Sequence, residues 1–100
     1  MTKTIQLKTP IQTHEGPKNH LIIREPTAQD FNEKNVLPYE TRGIGSDMSV
    51  KIEFRLAAGW ASRLSGLDEI LIGKMGRSDF LNLVAAVNDV LADDGDAVGN

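Results

Sequence analysis

The sequence predicts an α+β fold in which an N-terminal β-hairpin is followed by three or four helices. Polar and apolar residues alternate near the N-terminus, which is the period of a half-buried strand. In the second half of the chain, apolar residues instead recur every three or four positions, as they do along amphipathic helices. The chain has 100 residues, of which 40% are apolar, enough for one compact core. We therefore predict a single α+β domain over residues 1–92 and a flexible acidic tail over residues 93–100.

The hairpin is predicted from two short strands. Ile5 and Leu7 face one side of residues 2–8, while polar side chains face the other. Residues 20–24 are rich in β-branched side chains, which favour a second strand. Between them, a Gly-Pro pair marks a turn in the polar stretch over residues 14–19. Together these segments predict a hairpin with a long loop.

A short helix is predicted directly after the hairpin. Thr27 is followed three residues later by Asp30, a spacing typical of a capping box at the start of a helix. This helix is expected to end near residue 34. The next segment, residues 35–47, contains Pro38 and two glycines and has no sustained period, so we predict a mobile loop there.

The centre of the chain predicts a broad apolar helix. Ser46 is a typical N-cap residue, and Gly66 fits the left-handed position that ends a helix, with Leu67 folding back onto the last turn. The apolar residues between them form a wide helical face, which predicts a central helix in the core. These residues are Met48, Val50, Ile52, Phe54, Leu56, Ala57, Trp60, Ala61 and Leu64.

Two further helices are predicted before the tail. Residues 68–72 form a short apolar helix that ends at the Gly-Lys-Met-Gly turn of residues 73–76. Ser78 then begins the clearest amphipathic helix of the chain. The apolar stripe of this helix consists of Phe80, Leu83, Val84, Val87 and Leu91.

Composition excludes several functional classes. A formal net charge of -3 argues against a protein whose main function is to bind the phosphate backbone of nucleic acids. The chain contains no cysteine, which excludes disulfides and thiolate metal sites. It also lacks a signal-peptide pattern and any apolar run of about eighteen residues. We therefore predict a cytoplasmic protein without a membrane partner.

The chain is predicted not to be an enzyme. Catalysis needs a nucleophile, a base and an orienting group brought together, whereas helix ends and polar faces explain the serines and acids of this sequence. His14 and His20 flank the Gly-Pro turn with Glu15 nearby, too few ligands for a metal site. We predict no catalytic residue, no metal site and no cofactor.

The turn at residues 73–76, followed by Arg77, leaves one alternative open. A glycine pair around a lysine between two helices is how KH domains clamp a nucleic-acid backbone. The acids Asp68, Glu69 and Asp79 oppose phosphate there, and binding of this kind depends on accumulated positive charge. A small KH-like nucleic-acid-binding protein is therefore the second hypothesis.

Protein binding is the first hypothesis. The combined apolar width of the predicted helices exceeds what a two-stranded sheet covers, so part of it is expected to meet a partner or a second copy of the chain. Aromatic anchors are common in such interfaces, although Trp60 also fits a core position. The residues predicted to bind protein are Phe54, Trp60, Ile72 and Met75.

Two stretches of the chain carry sequence motifs in a defined order. Residues 2–31 contain TKTIQLKTPIQ and HLIIREPTAQDF, and residues 56–91 contain RLSGL and the pair Asp79-Phe80. In this order the motifs resemble the small tail assembly chaperones of contractile-tailed phages and prophages, the Mu-like phages among them. The resemblance covers about two thirds of the chain and leaves residues 35–47 without a family pattern.

The resemblance implies a chaperone that binds the long, helix-rich tape measure protein and keeps it soluble. It also implies help in recruiting tail tube subunits, followed by release before the virion is complete. The tape measure protein and the tail tube protein are thus the implied partners, in the cytoplasm of a bacterial host. A structural tail subunit that stays in the particle is a third hypothesis.

Overall fold

The α+β fold predicted from the sequence is confirmed. The computed structural model describes residues 2–43, 45–47 and 49–92, and this part contains two antiparallel hairpins and four α-helices. No described helix has the length and apolar character needed to cross a bilayer. In chain order the elements are β1 (Lys3–Thr13), β2 (Gly16–Ile23), α1 (Ala28–Lys34), β3 (Tyr39–Arg42), a 3-10 turn (Gly45–Asp47), β4 (Ser49–Ile52), α2 (Phe54–Ser65), α3 (Glu69–Gly73) and α4 (Arg77–Ala92).

The first hairpin, β1 and β2, is longer and more tightly connected than expected. Thr13 pairs with Gly16 across a short turn, so the predicted long loop over residues 14–19 is wrong. The Thr13 hydroxyl closes this turn: it donates to the Gly16 carbonyl at 2.7 Å and accepts from the Glu15 N–H at 3.2 Å. Side chains at this end of the hairpin are mostly polar and exposed, so no apolar alternation marks the strands there.

A buried carboxylate fills a gap in the first hairpin. The register of β1 and β2 shifts between Gln6 and Ile11. At this shift the N–H groups of Lys8 and Thr9 donate to the two carboxylate oxygens of Asp79, in the first turn of α4, at 2.8 and 3.1 Å. Backbone donors away from water need partners, and this carboxylate supplies them where the ladder is interrupted. Asp79 thereby fastens β1 to α4.

The core lies between the first hairpin and the helices α2 and α4. Ile23 of β2 belongs to one buried apolar cluster with Trp60 and Leu64 of α2 and with Leu83 and Val87 of α4. Both helices direct an apolar stripe toward the sheet, as the helical periodicity predicts. Burial of this apolar surface is the main source of stability, at roughly 25 cal/mol per Å².

Two predicted helix ends are confirmed. Gly66 ends α2 with a φ of 77°, the left-handed conformation that glycine adopts without steric cost, and Leu67 packs into the core after it. Thr27 precedes α1, and its N–H donates to the Asp30 carboxylate at 2.7 Å. This contact is the acidic half of the capping box that the spacing predicts.

Asp30 also joins three parts of the chain. Arg24, just after β2, forms a bidentate ion pair with the Asp30 carboxylate at 2.8 and 2.9 Å, and Arg63 of α2 donates to the same carboxylate through Nε. The hydrogen bond from Arg24 outweighs burial and holds the pKa of Asp30 well below its usual range. The backbone of Arg24 donates to the Leu64 carbonyl at 3.0 Å as well. We call Arg24, Asp30 and Arg63 the ionic joint.

The central helix begins at Phe54 and not after Ser46. The preceding segment is the strand β4, which pairs with β3. Apolar residues four apart lie on one face in a strand and also in a helix, so the spacing of Ile52 and Leu56 fits both. Met48, the first residue of the predicted stripe, lies outside the described residues.

The segment predicted as a loop, residues 35–47, carries the strand β3 and the 3-10 turn. β3 has no apolar alternation of its own and obtains its ladder hydrogen bonds from β4, which explains why the sequence pattern predicts no strand there. The mobility of this segment stays a prediction. The predicted tail, residues 93–100, lies outside the described residues.

The last two helices start close to the predicted positions. α3 begins at Glu69 because Asp68 is its N-cap, with a carboxylate that accepts from the Ile70 N–H at 2.8 Å. α4 begins at Arg77 rather than at Ser78. The Gly-Lys-Met-Gly turn therefore connects two helices, as expected.

A candidate protein-binding surface

The second hairpin, β3 and β4, has one apolar face and one charged face. Tyr39 pairs with Ile52, and Val50 lies two residues earlier on β4, so these three side chains point to the same side of the ladder. Glu40 and Lys51 are directly opposite each other on the other side. Opposite charges in such a pair stabilise a hairpin modestly. The alternation in β4 thus separates apolar from charged side chains.

The apolar face of the second hairpin is open to solvent. Val50 is 60% exposed and Ile52 is 36% exposed, while Tyr39 is half-buried. Exposed apolar surface is unfavourable in water, and an isolated two-stranded hairpin is only marginally stable. A partner that covers this face would therefore stabilise the hairpin.

A backbone hydrogen bond extends the exposed apolar area to the base of the second hairpin. The Glu53 N–H donates to the Pro38 carbonyl at 2.7 Å, which places the chain before β3 beside the chain after β4. Val36 and Leu37 precede this bond and Phe54 follows it, and all three are exposed. We call the resulting set the apolar surface: Val36, Leu37, Val50, Ile52 and Phe54.

Trp60 supports the apolar surface from the core side. Its indole N–H donates to the Val36 carbonyl at 2.8 Å, the kind of partner that a buried tryptophan needs. Its ring centroid lies 5.4 Å from that of Phe31, and a shallow cavity of about 150 Å³ is lined by Phe31, Leu37 and Trp60 among others. Because Trp60 is only 1% exposed, it positions Val36 and is not itself open to a partner in this conformation.

Phe54 is the member of the apolar surface that contacts α4. Its ring centroid is 6.1 Å from that of Phe80, with an angle of 45° between the ring planes, a tilted arrangement typical of aromatic pairs. Phe54 nevertheless remains 49% exposed. The contact with Phe80 holds the ring, so a partner that bound its exposed part would lose little side-chain entropy there.

The structure brings one of the four predicted protein-binding residues to the apolar surface. Phe54 lies on it, whereas Trp60 and Ile72 are buried in the core. Met75 is half-buried and lies in a different groove, beside the turn between α3 and α4. A broad helical stripe does not reveal which of its members face the interior, so apolar character alone does not separate buried Trp60 from exposed Phe54.

Four members of the apolar surface were not predicted from the sequence. Val36 and Leu37 fall in the predicted loop, and Val50 and Ile52 fall in the predicted helix. The alternation Ser-Val-Lys-Ile was the available signal, because strict alternation predicts a strand with one apolar side. For Val36 and Leu37 the pattern carried no comparable signal.

The described residues bring together no group of three or more metal-ligating side chains. His14 lies in the turn of the first hairpin, and His20 is exposed on β2. The largest electrostatic perturbations belong to the ionic joint, where hydrogen bonds to Asp30 raise the pKa of Arg24 and of Arg63. Both carboxylate oxygens of Asp30 already accept hydrogen bonds, so this joint offers a structural link rather than a free base.

The Gly-Lys-Met-Gly turn is exposed except for Met75, which is half-buried. Asp79 was expected to add negative charge around this turn, and it lines the same cavity as Lys74 and Gly76, although its carboxylate is buried and accepts from the backbone of β1. Asp68 and Glu69 lie at the other end of α3. The nucleic-acid hypothesis stays a prediction.

Comparison with known proteins yields no relative. No protein-family model, no curated protein and no solved structure matches the chain. The function is therefore inferred from the resemblance of the motifs and from the geometry of the apolar surface.

Proposed function

We propose that this chain is a tail assembly chaperone that binds the tape measure protein through the apolar surface and keeps it soluble while the tail tube assembles. The observation that carries this proposal is the open apolar face of the second hairpin, with Val50 and Ile52 exposed beside Phe54. Clustered apolar side chains on a small protein mark interaction sites. The resemblance of the motifs supplies the identity of the client.

The motifs behind the resemblance lie in the framework of the fold. Arg24 and Asp30 belong to the motif HLIIREPTAQDF, and Arg63 belongs to RLSGL; together they form the ionic joint. Asp79, of the Asp-Phe pair, accepts hydrogen bonds from the backbone of the motif TKTIQLKTPIQ. The apolar surface is instead built by residues 36–54, which include most of the stretch without a family pattern. A common framework that carries a separate client-binding segment would explain this division.

The apolar surface suits a client that is bound and later released. Full burial of an exposed aliphatic or aromatic side chain contributes about 1.5–3 kcal/mol, and the five members of the surface are partly exposed. Their burial contributes on the order of 5 kcal/mol, much of which is offset by the entropy lost on association. One copy therefore binds weakly, and several copies along a long client bind together through multivalency.

A helical client complements this surface. Apolar side chains three or four residues apart form a stripe along a helix, and such a stripe packs on the aliphatic face of the second hairpin. The charged face stays in water, where Glu40 lies opposite Lys51 and the Lys51 ammonium pairs with Glu53 at 3.1 Å. The complex would thus present charge where the free client presents apolar surface.

Co-expression with the tape measure protein encoded nearby tests this proposal. The wild-type chain is expected to keep the client soluble and to co-purify with it. Val50→Asp places a charge on the apolar surface and is expected to abolish both effects. The matched control is Ile22→Asp, at a similarly exposed position of the first hairpin, which is expected to change neither. Soluble client with Val50→Asp would overturn the proposed surface.

The other two hypotheses give different outcomes in the same experiments. Lys74→Glu combined with Arg77→Glu is expected to leave client solubility unchanged. Salt-sensitive RNA or DNA binding that this double variant abolishes would favour the KH-like protein instead. Copies of the chain retained in purified tails would favour a structural tail subunit.

A further inference from the structure

A second groove lies between the first hairpin and α3, and none of its residues belongs to the apolar surface. It consists of two adjoining cavities of about 270 and 630 Å³. Gln12 of β1 and Leu71 of α3 line both cavities, so the two cavities adjoin at these side chains. The larger cavity reaches the hairpin turn at His14, and the smaller one ends at the turn between α3 and α4.

Aliphatic side chains form much of the groove. Leu71 and Met75 pack partly against the core and also line the smaller cavity, together with Ile11 of β1. Ile70 lines the larger cavity and is 68% exposed. Grooves of this kind take up apolar side chains of a ligand and orient them through a few polar groups.

The end of the groove beside α4 is cationic. Lys74 lines the smaller cavity, Arg77 begins α4 just beyond it, and both are exposed. Within the described part of the chain, neither side chain forms an ion pair. Asp79 also lines this cavity, but it is only 4% exposed and accepts from the backbone of β1, so the charged groups that reach solvent at this end are the two cations. A ligand therefore meets positive charge directly beside aliphatic side chains.

We propose that this groove binds an acidic amphipathic segment of a partner protein. Apolar side chains of that segment would lie against Leu71 and Met75, and its carboxylates would face Lys74 and Arg77. Charge complementarity favours this occupant, because a purely apolar peptide gains no attraction from the two exposed cations and a basic peptide is repelled by them. The proposal does not rest on the proposed function, since it uses no residue of the apolar surface.

A nucleic acid fits the same groove less well. Nucleic-acid binding draws on many phosphate contacts and on aromatic side chains that stack with bases. Among the described residues that line the two cavities, His14 is the only aromatic side chain, and Phe, Tyr and Trp are absent. Glu15 and Asp68 line the larger cavity, where they would repel a phosphate backbone that followed the groove. An acidic peptide avoids this repulsion, because its carboxylates need only reach the end at Lys74.

Selection from a random displayed peptide library, with the wild-type chain as bait, tests this proposal. Enriched peptides are expected to combine Leu, Ile or Phe with Asp or Glu. The dissociation constant of the strongest peptide, measured by fluorescence anisotropy, is expected to rise by about tenfold or more with Lys74→Glu plus Arg77→Glu. Both positions are exposed, so this double variant is expected to keep the fold.

Two controls separate the groove from the apolar surface and from nucleic acid. Val50→Asp is expected to leave the dissociation constant of the peptide unchanged even where it abolishes client binding. A single-stranded RNA probe is expected not to bind. Enrichment of peptides without acids, no enrichment at all, or an unchanged dissociation constant in the double variant would overturn the proposal. RNA binding that the double variant abolishes would assign the groove to nucleic acid.

Discussion

The two hairpins share an antiparallel ladder but direct their apolar faces to different surroundings. In the first hairpin, Leu21 and Ile23 point into the core and are buried. In the second, Val50 and Ile52 have the same spacing on their strand and stay exposed. The same alternation of polar and apolar residues thus stabilises the fold in one hairpin and leaves an exposed apolar face in the other.

The first hairpin is also attached to the rest of the chain at more points than the second. The first is fastened along its length, by Asp79 at the gap in β1 and by Arg24 just after β2. The second is attached at its base, through the hydrogen bonds from Glu53 to Pro38 and from Trp60 to Val36. Binding segments are commonly drawn from the less stable parts of a protein, and the fewer attachments of the second hairpin predict that it opens more readily than the first.

Truncation of matched side chains gives the largest expected contrast. Ile23→Ala removes buried methyl groups and leaves a cavity, so the free energy of unfolding is expected to fall by about 2–5 kcal/mol. Val50→Ala removes exposed atoms and is expected to change it by less than about 0.5 kcal/mol. Urea denaturation measures both. Equal losses would mean that the face of the second hairpin is covered within the chain.

Removal of the carboxylate at the ionic joint gives the next largest effect. Asp30→Ala leaves Arg24 and Arg63 without their shared partner, and breaking a buried pair costs about 3–5 kcal/mol. Both arginines are partly exposed, which lowers the expected loss of unfolding free energy to about 2–3 kcal/mol. Lys3→Ala breaks the exposed pair with Asp89 and serves as the control. A loss below about 1 kcal/mol in both variants would contradict a structural role for the joint.

The same joint makes stability depend on pH in the acid range. The pKa of Asp30 is lowered in the folded state, so the unfolded chain binds a proton there at a higher pH than the folded chain does. The stabilisation is complete above the unfolded pKa of about 4 and is lost as the pH falls below it. Wild-type stability is therefore expected to decline more steeply than that of Asp30→Asn between about pH 4 and pH 2. Thermal denaturation at each pH measures both proteins. If their melting temperatures fell in parallel with pH, the acid sensitivity would not come from Asp30.

A smaller and more local effect is expected at the gap in the first hairpin. Asp79→Ala leaves the N–H groups of Lys8 and Thr9 without acceptors, which is expected to lower the free energy of unfolding by about 2 kcal/mol. Amide hydrogen exchange at these two residues is expected to become faster, while exchange in the second hairpin stays unchanged. Unaltered protection of Lys8 and Thr9 would show that β1 holds its place without the carboxylate.

Elements with one dominant period could be predicted from the sequence. Ile5 and Leu7 mark β1, and Gly66 correctly marks the end of α2. From Ile52 onward the spacing of apolar residues fits a strand as well as a helix. Pairing with β3 determines that Ile52 lies in a strand, and β3 itself has no apolar alternation that would predict it. The contact of Asp79 with β1 joins residues far apart in the chain and has no local signature, so it became visible only in the fold.

The location of the candidate site depends on tertiary structure in the same way. The apolar excess was predicted from the combined apolar width of the helices, but exposure depends on which side of each element faces the core. Phe54 projects beside α4 and stays exposed, whereas Trp60 on the same helix turns inward. Val50 and Ile52 are exposed because no described helix covers the apolar face of the second hairpin.

The hydrogen bond from Trp60 to the Val36 carbonyl gives the molecule a built-in optical probe. Trp60 is the single tryptophan of the chain, so intrinsic emission comes from one indole that contacts the backbone of the apolar surface. A client that shifts Val36 alters the polarity around this ring, and with it the wavelength of the emitted light. Occupancy of that surface can be followed in the unmodified protein, without a dye and in real time.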